Sequence, residues 1–509
     1  MYSQPEACGL DNPDAATGLR EFPKEVGMPN VNEGGAQAGR GERPFDRRQF
    51  LAGAISVGAA GLVLGACSSS SAPNGSGRAP GALPSFPLGA SARARSKPVP
   101  VTFWHSMTSA NLTALSGLTK AFNASQHDVR VSLVNQNDYP DTLTLYTAAL
   151  SGGNLPDVVQ IESSDLALMI DSQSIVPAQA AVNAERYPLS DFVPSIVDYF
   201  RVDGTLWAMP FNISSQVLYY DKAAFSRAGL DPEKPPVTLQ ELRAASKRIV
   251  STGTEKYGMS LKLTPSTFEE WIAMGDGTLV NHDNGRTGRA TAAVFDGPLG
   301  RSLFSWWAGM IDDKLAQATP ATSYDDLLAV ANRISPMTME TSAALGTVVY
   351  LLNAGQYSRV KLGIGPMPGP AAQGGGVFVG GAGLYMVKRS PPERQDAAWQ
   401  YIKYLVAPAQ QATWAAATGY VPVRKSSVKM PAITTRWKEV PGFRVAYDQI
   451  LASPADPATA GAVVGASTQV DNAVQAGLTS ISSGTNPDVA LAEAVRSANS
   501  AIASYNARL

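Results

Sequence analysis

The aromatic side chains Trp104, Tyr139, Trp271 and Tyr420 stand among short polar stretches, and their chemistry is recognition rather than bond breaking. Flat apolar rings stack on C–H faces while hydroxyl tips pair with hydroxyls, a combination suited to sugars and polyols. Residues for other chemistry lack the needed spacing. The chain has no HExxH, no G-x-S-x-G and no GxxxxGK. Gly380-Gly381-Ala382-Gly383 runs into bulky residues and does not fit a dinucleotide fingerprint. His105, His127 and His282 are too scattered for a zinc site, so no metal and no cofactor is expected. A glycosidase needs two carboxyl groups that can lie far apart in sequence, and no pair stands out. No catalytic residue is assigned, and a secreted carbohydrate-active enzyme is the remote alternative to a binding protein.

The elements that must position these side chains follow a repeating rhythm. A strand is expected over 99–104 and a helix over 110–124, with Leu112, Leu115, Leu118 and Phe122 at helical spacing. A strand over 129–134, a helix over 142–150 and a short buried strand over 156–161 come next. This β-α-β-α-β order predicts an α/β fold with a sheet covered by helices. In such sheets ligands bind beyond the carboxyl ends of the strands, which places 104–107, 137–139 and 162–164 on one rim. Extended segments at 206–212 and 217–222 flank Asn212-Ile213-Ser214-Ser215, where the chain crosses to a second domain. Helices at 239–251 and 297–311 and a strand at 361–365 belong to that domain. A second crossing is expected over 377–387. Ser390 is expected to cap a helix that begins at Pro391, and an amphipathic helix over 487–509 closes the chain.

The totals narrow the class. Net charge is -1, which supplies no basic field for nucleic acid. Near the start, Arg47 and Arg48 precede an apolar run from Phe50 to Ala66, which ends in Leu64-Gly65-Ala66-Cys67. Charge, a short apolar segment and small residues before a cut make an export signal. Asp46-Arg47-Arg48-Gln49-Phe50-Leu51 resembles the twin-arginine motif, and the last four residues resemble a lipobox, which implies cleavage before Cys67 and a lipid on its sulfur. Residues 1–66 are read as that signal with a long extension. Cys8 precedes the cut, so no internal disulfide is expected in the remaining chain of about 440 residues. Residues 67–98 are Ser-, Ala-, Gly- and Pro-rich and are read as a flexible tether.

Phe103-Trp104-His105-Ser106-Met107, Asn137-Asp138-Tyr139, Ala228-Gly229-Leu230-Asp231-Pro232-Glu233, Gly380-Gly381-Ala382 and Thr418-Gly419-Tyr420-Val421-Pro422-Val423 together resemble the family 1 solute-binding proteins of ABC importers. That family includes maltose-binding protein, and the likeness is greatest to its glycerol-3-phosphate and glycerophosphodiester binders. The resemblance implies a two-lobed periplasmic-binding-protein-like fold of class II, with the ligand in a cleft between lobes joined by hinge crossings. The expected N-terminal lobe is 99–211 with 381–430, and the C-terminal lobe 212–380 with 431–509. It implies ligand contacts from Tyr139, from Ser163 with Glu162 adjacent, from Ser214, from Thr341 or Ser342, from Gly381 and from Tyr420. It also implies an ABC permease with its ATPase subunits as partner, a monomer, and a place on the outer face of the bacterial cell membrane.

This chain departs from the glycerophosphate binders in two ways. Leu261 and Thr264 stand where those proteins carry stacking tryptophans, with Trp271 further on. No Arg or Lys occurs between Arg444 and Arg496, where they hold the phosphate with an arginine. A buried phosphate without a cation loses a major anchor. The expected solute is therefore a sugar or polyol, with glycerol 3-phosphate or a glycerophosphodiester as the alternative.

Overall fold

The computed structural model describes residues 83–93, 97–370 and 375–509. The expected export signal, the lipidation site Cys67 and the first part of the expected tether lie outside the described residues. Among the described residues no helix is long and apolar enough to cross a membrane.

Two sheets organise the chain. The first runs in the order Val129–Asn135, Val99–His105, Val158–Glu162, Gly380–Val387, Ile175–Val176. Its first three strands are parallel, with Val99 opposite Val129 and Phe103 opposite Val158. Helices Ser109–Ser125 and Tyr139–Leu150 make the crossovers that parallel strands require. Gly380–Val387 is antiparallel to Val158–Glu162 and also pairs with Met209–Ser214. The second sheet runs Ala316–Thr319, Met259–Lys262, Met337–Thr341, Gln216–Asp221, Leu362–Pro366. Its helix Leu239–Val250 starts at a capping box, in which Thr238 and Glu241 satisfy each other's backbone amides.

The chain changes sheet where the sequence suggested. Met209–Ser214 belongs to the first sheet, and after Ser215 the strand Gln216–Asp221 belongs to the second. The return runs from Leu362–Pro366 to Gly380–Val387. Two apolar cores follow the two sheets. Phe103, Ile161, Phe211, Trp399 and Trp414 fill the first, and Leu261, Phe268, Trp271, Trp307 and Leu478 fill the second. The neighbours Val463 and Val464 bury into different cores, which marks a third passage between them. This is a two-lobed α/β fold.

Three sequence expectations need correction. The helix after the second crossing is Pro392–Leu405, and Pro391 rather than Ser390 precedes it. The Ser390 hydroxyl instead donates to Asp157 Oδ1 at 2.7 Å. Residues 431–452 were expected in the C-terminal lobe. Their Phe443, Tyr447 and Ile450 join the first core, and Ile433 packs on Ala412 and Ala415 of the helix Pro408–Thr418.

Nor are residues 83–93 a loose tether. Phe86 is buried in the first core. The short helix Ala90–Arg93 lies on Pro392–Leu405. Asp396 accepts from the backbone amides of Gly89 and Ser91, each at 3.0 Å. One apolar anchor and one carboxylate collar are enough to order a stretch whose composition reads as linker. Asp396→Ala is therefore expected to speed amide exchange at Gly89 and Ser91 by at least about tenfold, with solute affinity unchanged. Unaltered exchange would show that the collar does not hold the segment.

Candidate functional site

A cleft of about 510 Å³ lies where three strands end, Val158–Glu162, Met209–Ser214 and Met337–Thr341. Residues from both sheets and from the helices Pro265–Met274 and Ser467–Ser482 line it. Parallel strand ends leave backbone and short loops uncovered at this edge, so the site follows from the topology.

On the first lobe, Asp138 caps the helix Tyr139–Leu150 by accepting from Asp141 N at 2.8 Å. The cap fixes Tyr139 at the helix start. Its phenol accepts from Asn212 Nδ2 at 2.7 Å and lies 3.3 Å from the Tyr420 hydroxyl. Asn212 is held in turn, accepting from Gln160 Nε2 at 2.7 Å, and Gln160 Oε1 accepts from Ser106 N at 2.9 Å. Both amides are fully buried. A satisfied buried network of this kind fixes one geometry. Tyr420 stacks on Trp414 at 5.4 Å, and Trp414 stacks on Phe211 at 4.9 Å. Burial raises both phenol pKa values, so the two tyrosines stay neutral donors.

Most of the expected ligand residues meet here. Tyr139, Glu162, Ser163, Ser214, Thr341, Gly381 and Tyr420 all line the cleft. Gly381 has φ +97, and a Cβ there would sit 2.0 Å from Asn212 O, so only glycine fits.

Three expected residues do not reach the cleft. Trp271 is fully buried, edge-on to Trp306 and Trp307, with its indole N–H donating to Pro368 O at 2.7 Å. Helical spacing turns Phe268 and Trp271 to the second core, while Glu269, Glu270 and Ile272 line the cleft. Trp104 alternates out of register with buried Phe103 and His105 and packs against the first core outside the cleft. Ser342 is fully buried behind the wall formed by Thr341 and Ala343. Trp271→Phe is expected to cost roughly 1–3 kcal/mol of stability and to leave solute affinity within about threefold. A larger loss of affinity, read by calorimetry, would return Trp271 to the site.

Of the cleft acids the sequence reading named Glu162 and missed Glu269, Glu270 and Asp471. Among the described residues, seven that bear carboxyls line the cleft and no lysine or arginine does. Burial, then the charges of Asp165, Asp471 and Asp138, push Glu162 up to about 8. Burial pushes Asp165 up to about 6, against a hydrogen bond from Ser467 Oγ at 2.6 Å. Glu269 rises to about 7, chiefly by burial, and burial followed by the charge of Glu269 raises Asp471 as well. Lys262, on the strand beside Met337–Thr341, is ion-paired with Glu340. Arg286 spends its guanidinium on the carbonyls of Tyr199 and Gly461, each at 2.9 Å. Neither cation is free to hold an anion.

Two lobes around a hydroxyl- and carboxyl-lined cleft define a solute-binding protein. The chain belongs to the bacterial extracellular solute-binding protein family, whose model matches residues 117–442, and it is of the kind that serves ABC importers. It is 27% identical over 408 residues to the sn-glycerol-3-phosphate-binding periplasmic protein UgpB of Yersinia pseudotuberculosis, covering 78% of this chain and 90% of that one. The UgpB of Salmonella typhimurium is 28% identical over 417 residues, with 78% and 91% covered. In fold the chain is similar to the GacH receptor of Streptomyces glaucescens, with TM-score 0.66, 21% identity and 80% and 99% of the two chains covered. UgpB of Mycobacterium tuberculosis in complex with glycerophosphocholine gives TM-score 0.66 at 22% identity, over 80% and 98%.

Proposed function

We propose that this protein captures a hydroxyl-rich solute without a phosphate, a sugar or polyol, and delivers it unaltered to a membrane permease driven by cytoplasmic ATPases. The observation that carries this reading is the cleft wall, which among the described residues combines carboxyl and hydroxyl groups with no lysine or arginine. Sugar hydroxyls can donate to and accept from such groups, whereas a phosphate finds no cation there to balance its charge. Lobes formed by 99–211 with 381–452, and by 216–366 with 464–509, close on the solute because only the closed form contacts it from both sides. The protein works as a monomer, anchored through Cys67 on the outer face of the membrane, and it is not an enzyme.

A thermal-shift screen of sugars, polyols, glycerol 3-phosphate and glycerophosphodiesters tests this, with recovery of the bound compound intact. A shift from the phosphates alone would favour the class named for the UgpB relatives instead. Within the site, Tyr420→Ala removes a ring that stacks on Trp414 and a hydroxyl beside Tyr139. It is expected to weaken the best solute by at least about tenfold in calorimetry. Unchanged affinity would remove Tyr420 from the site.

A further inference from the structure

We infer that the solute carries a protonated amine beside its hydroxyls, and that Glu270, with Glu269 and Asp471, receives it. This rests on the reading of the cleft as a sugar or polyol site and adds a charge to it.

The first observation is what the wall leaves unmatched. Glu270 is 2% exposed and Gln216 is 7% exposed, and both line the cleft. The amide nitrogen of Gln216 donates to Ser266 Oγ at 2.9 Å, yet its Oε1 has no partner. Glu270 Oε1 and Glu269 Oε1 are likewise buried without a partner. The amide oxygen is an acceptor always, and the carboxyls are acceptors only once ionised. Buried acceptors left open are costly, so the solute that completes them must bring donors.

The second observation is how the carboxyls meet. Glu269 on Pro265–Met274 and Asp471 on Ser467–Ser482 line the same cleft on two helices that pack together, and the charge of Glu269 adds to burial in holding the proton on Asp471. Glu162 and Asp165 stand on the first lobe, within electrostatic reach of Asp471. Closing the lobes presses like charges together unless something positive lies between them. An ammonium group can replace the protons these buried carboxyls hold and offers three donors to the open oxygens. A metal ion is the weaker occupant, since among the described residues no three histidine, cysteine, aspartate or glutamate side chains are arranged to hold one.

The test uses the purified protein and matched pairs, glucosamine with glucose and a glucosamine disaccharide with its N-acetylated and unsubstituted counterparts. The amine of a pair is expected to bind at least about tenfold tighter than its neutral partner. Its binding is expected to release protons, seen as an enthalpy that depends on the buffer. Glu270→Gln should bring the affinities within a pair to less than about twofold apart, whatever it does to the neutral sugar's own affinity. Glu269→Gln, at a less buried position, should at least halve the preference if Glu270→Gln does not fold. Equal affinity within pairs, or shifts from neutral sugars alone, overturns this inference and leaves the sugar or polyol reading standing. Response to glycerol 3-phosphate alone, or to no member of the panel, overturns both.

Discussion

Gly381→Ala is expected to abolish solute binding, with affinity down by more than about a hundredfold and the melting temperature lower by several degrees. The residue has φ +97, where an L side chain is strained, and its new methyl would lie 2.0 Å from Asn212 O and 3.0 Å from Asn212 C. Neither contact is with a flexible side chain, so a strand must move. The pairing between Gly380–Val387 and Met209–Ser214 already shifts register beside Ala382 and Gly383. Displacing Asn212 disturbs its bonds to Tyr139 and Gln160, and Tyr139 in turn faces Tyr420. One methyl thus reaches both tyrosines without touching either. Gly380→Ala is the matched control, since its methyl meets Ser214 O no closer than 3.3 Å. Calorimetry on both variants decides the matter. Near-native affinity for Gly381→Ala would show that the crossing strands tolerate separation and do not set the site.

The contrast between these neighbours indicates what a sequence can disclose. The first lobe was legible because its strands are apolar and its helices regularly spaced. The expected strand over 129–134 is Val129–Asn135, and the expected helix over 110–124 is Ser109–Ser125. Three strands of the second sheet gave no such cue. Met259–Lys262 reads MSLK and Ala316–Thr319 reads AQAT, too short and too mixed to alternate. Met337–Thr341 is buried along most of its length and lacks a polar face to reveal its period. The tyrosines of the cleft were located by their surrounding motifs, not by pattern. Trp271 went astray because an aromatic near a site and an aromatic in a core look alike until the helix face is known. Glu269, Glu270 and Asp471 were missed for the opposite reason. Acids on amphipathic helices ordinarily face water, and only the approach of two helices from distant parts of the chain encloses them.

That enclosure should make the unliganded protein lose stability as pH rises, with a melting temperature lower by at least about 3 °C at pH 8.5 than at pH 6.5. Glu162 is raised to about 8, Glu269 to about 7 and Asp165 to about 6. Each lies above its ordinary carboxyl value, so the folded chain holds protons that the unfolded chain has released. The stabilisation is complete below about pH 4 and fades as pH climbs through these values. His105 acts in the other direction. Burial lowers it to about 4, so its contribution grows with pH and is finished once the unfolded imidazole is neutral. Above about pH 6.5 the carboxyls therefore govern the slope. Glu162 is faced by Asp165, Asp471 and Asp138, and Glu269 by Asp471, Glu162 and Glu270, while among the described residues no lysine or arginine lines the cleft beside them. Glu162→Gln removes the group raised farthest among those three and should flatten the slope above pH 7 while leaving the acid side in place. Scanning calorimetry across this range distinguishes the outcomes. A melting temperature that is level, or that rises, between pH 6.5 and 8.5 in the parent protein would mean that the cleft acids are solvated rather than enclosed. A bound amine should oppose the decline, because it favours the ionised carboxylates that the empty cleft disfavours.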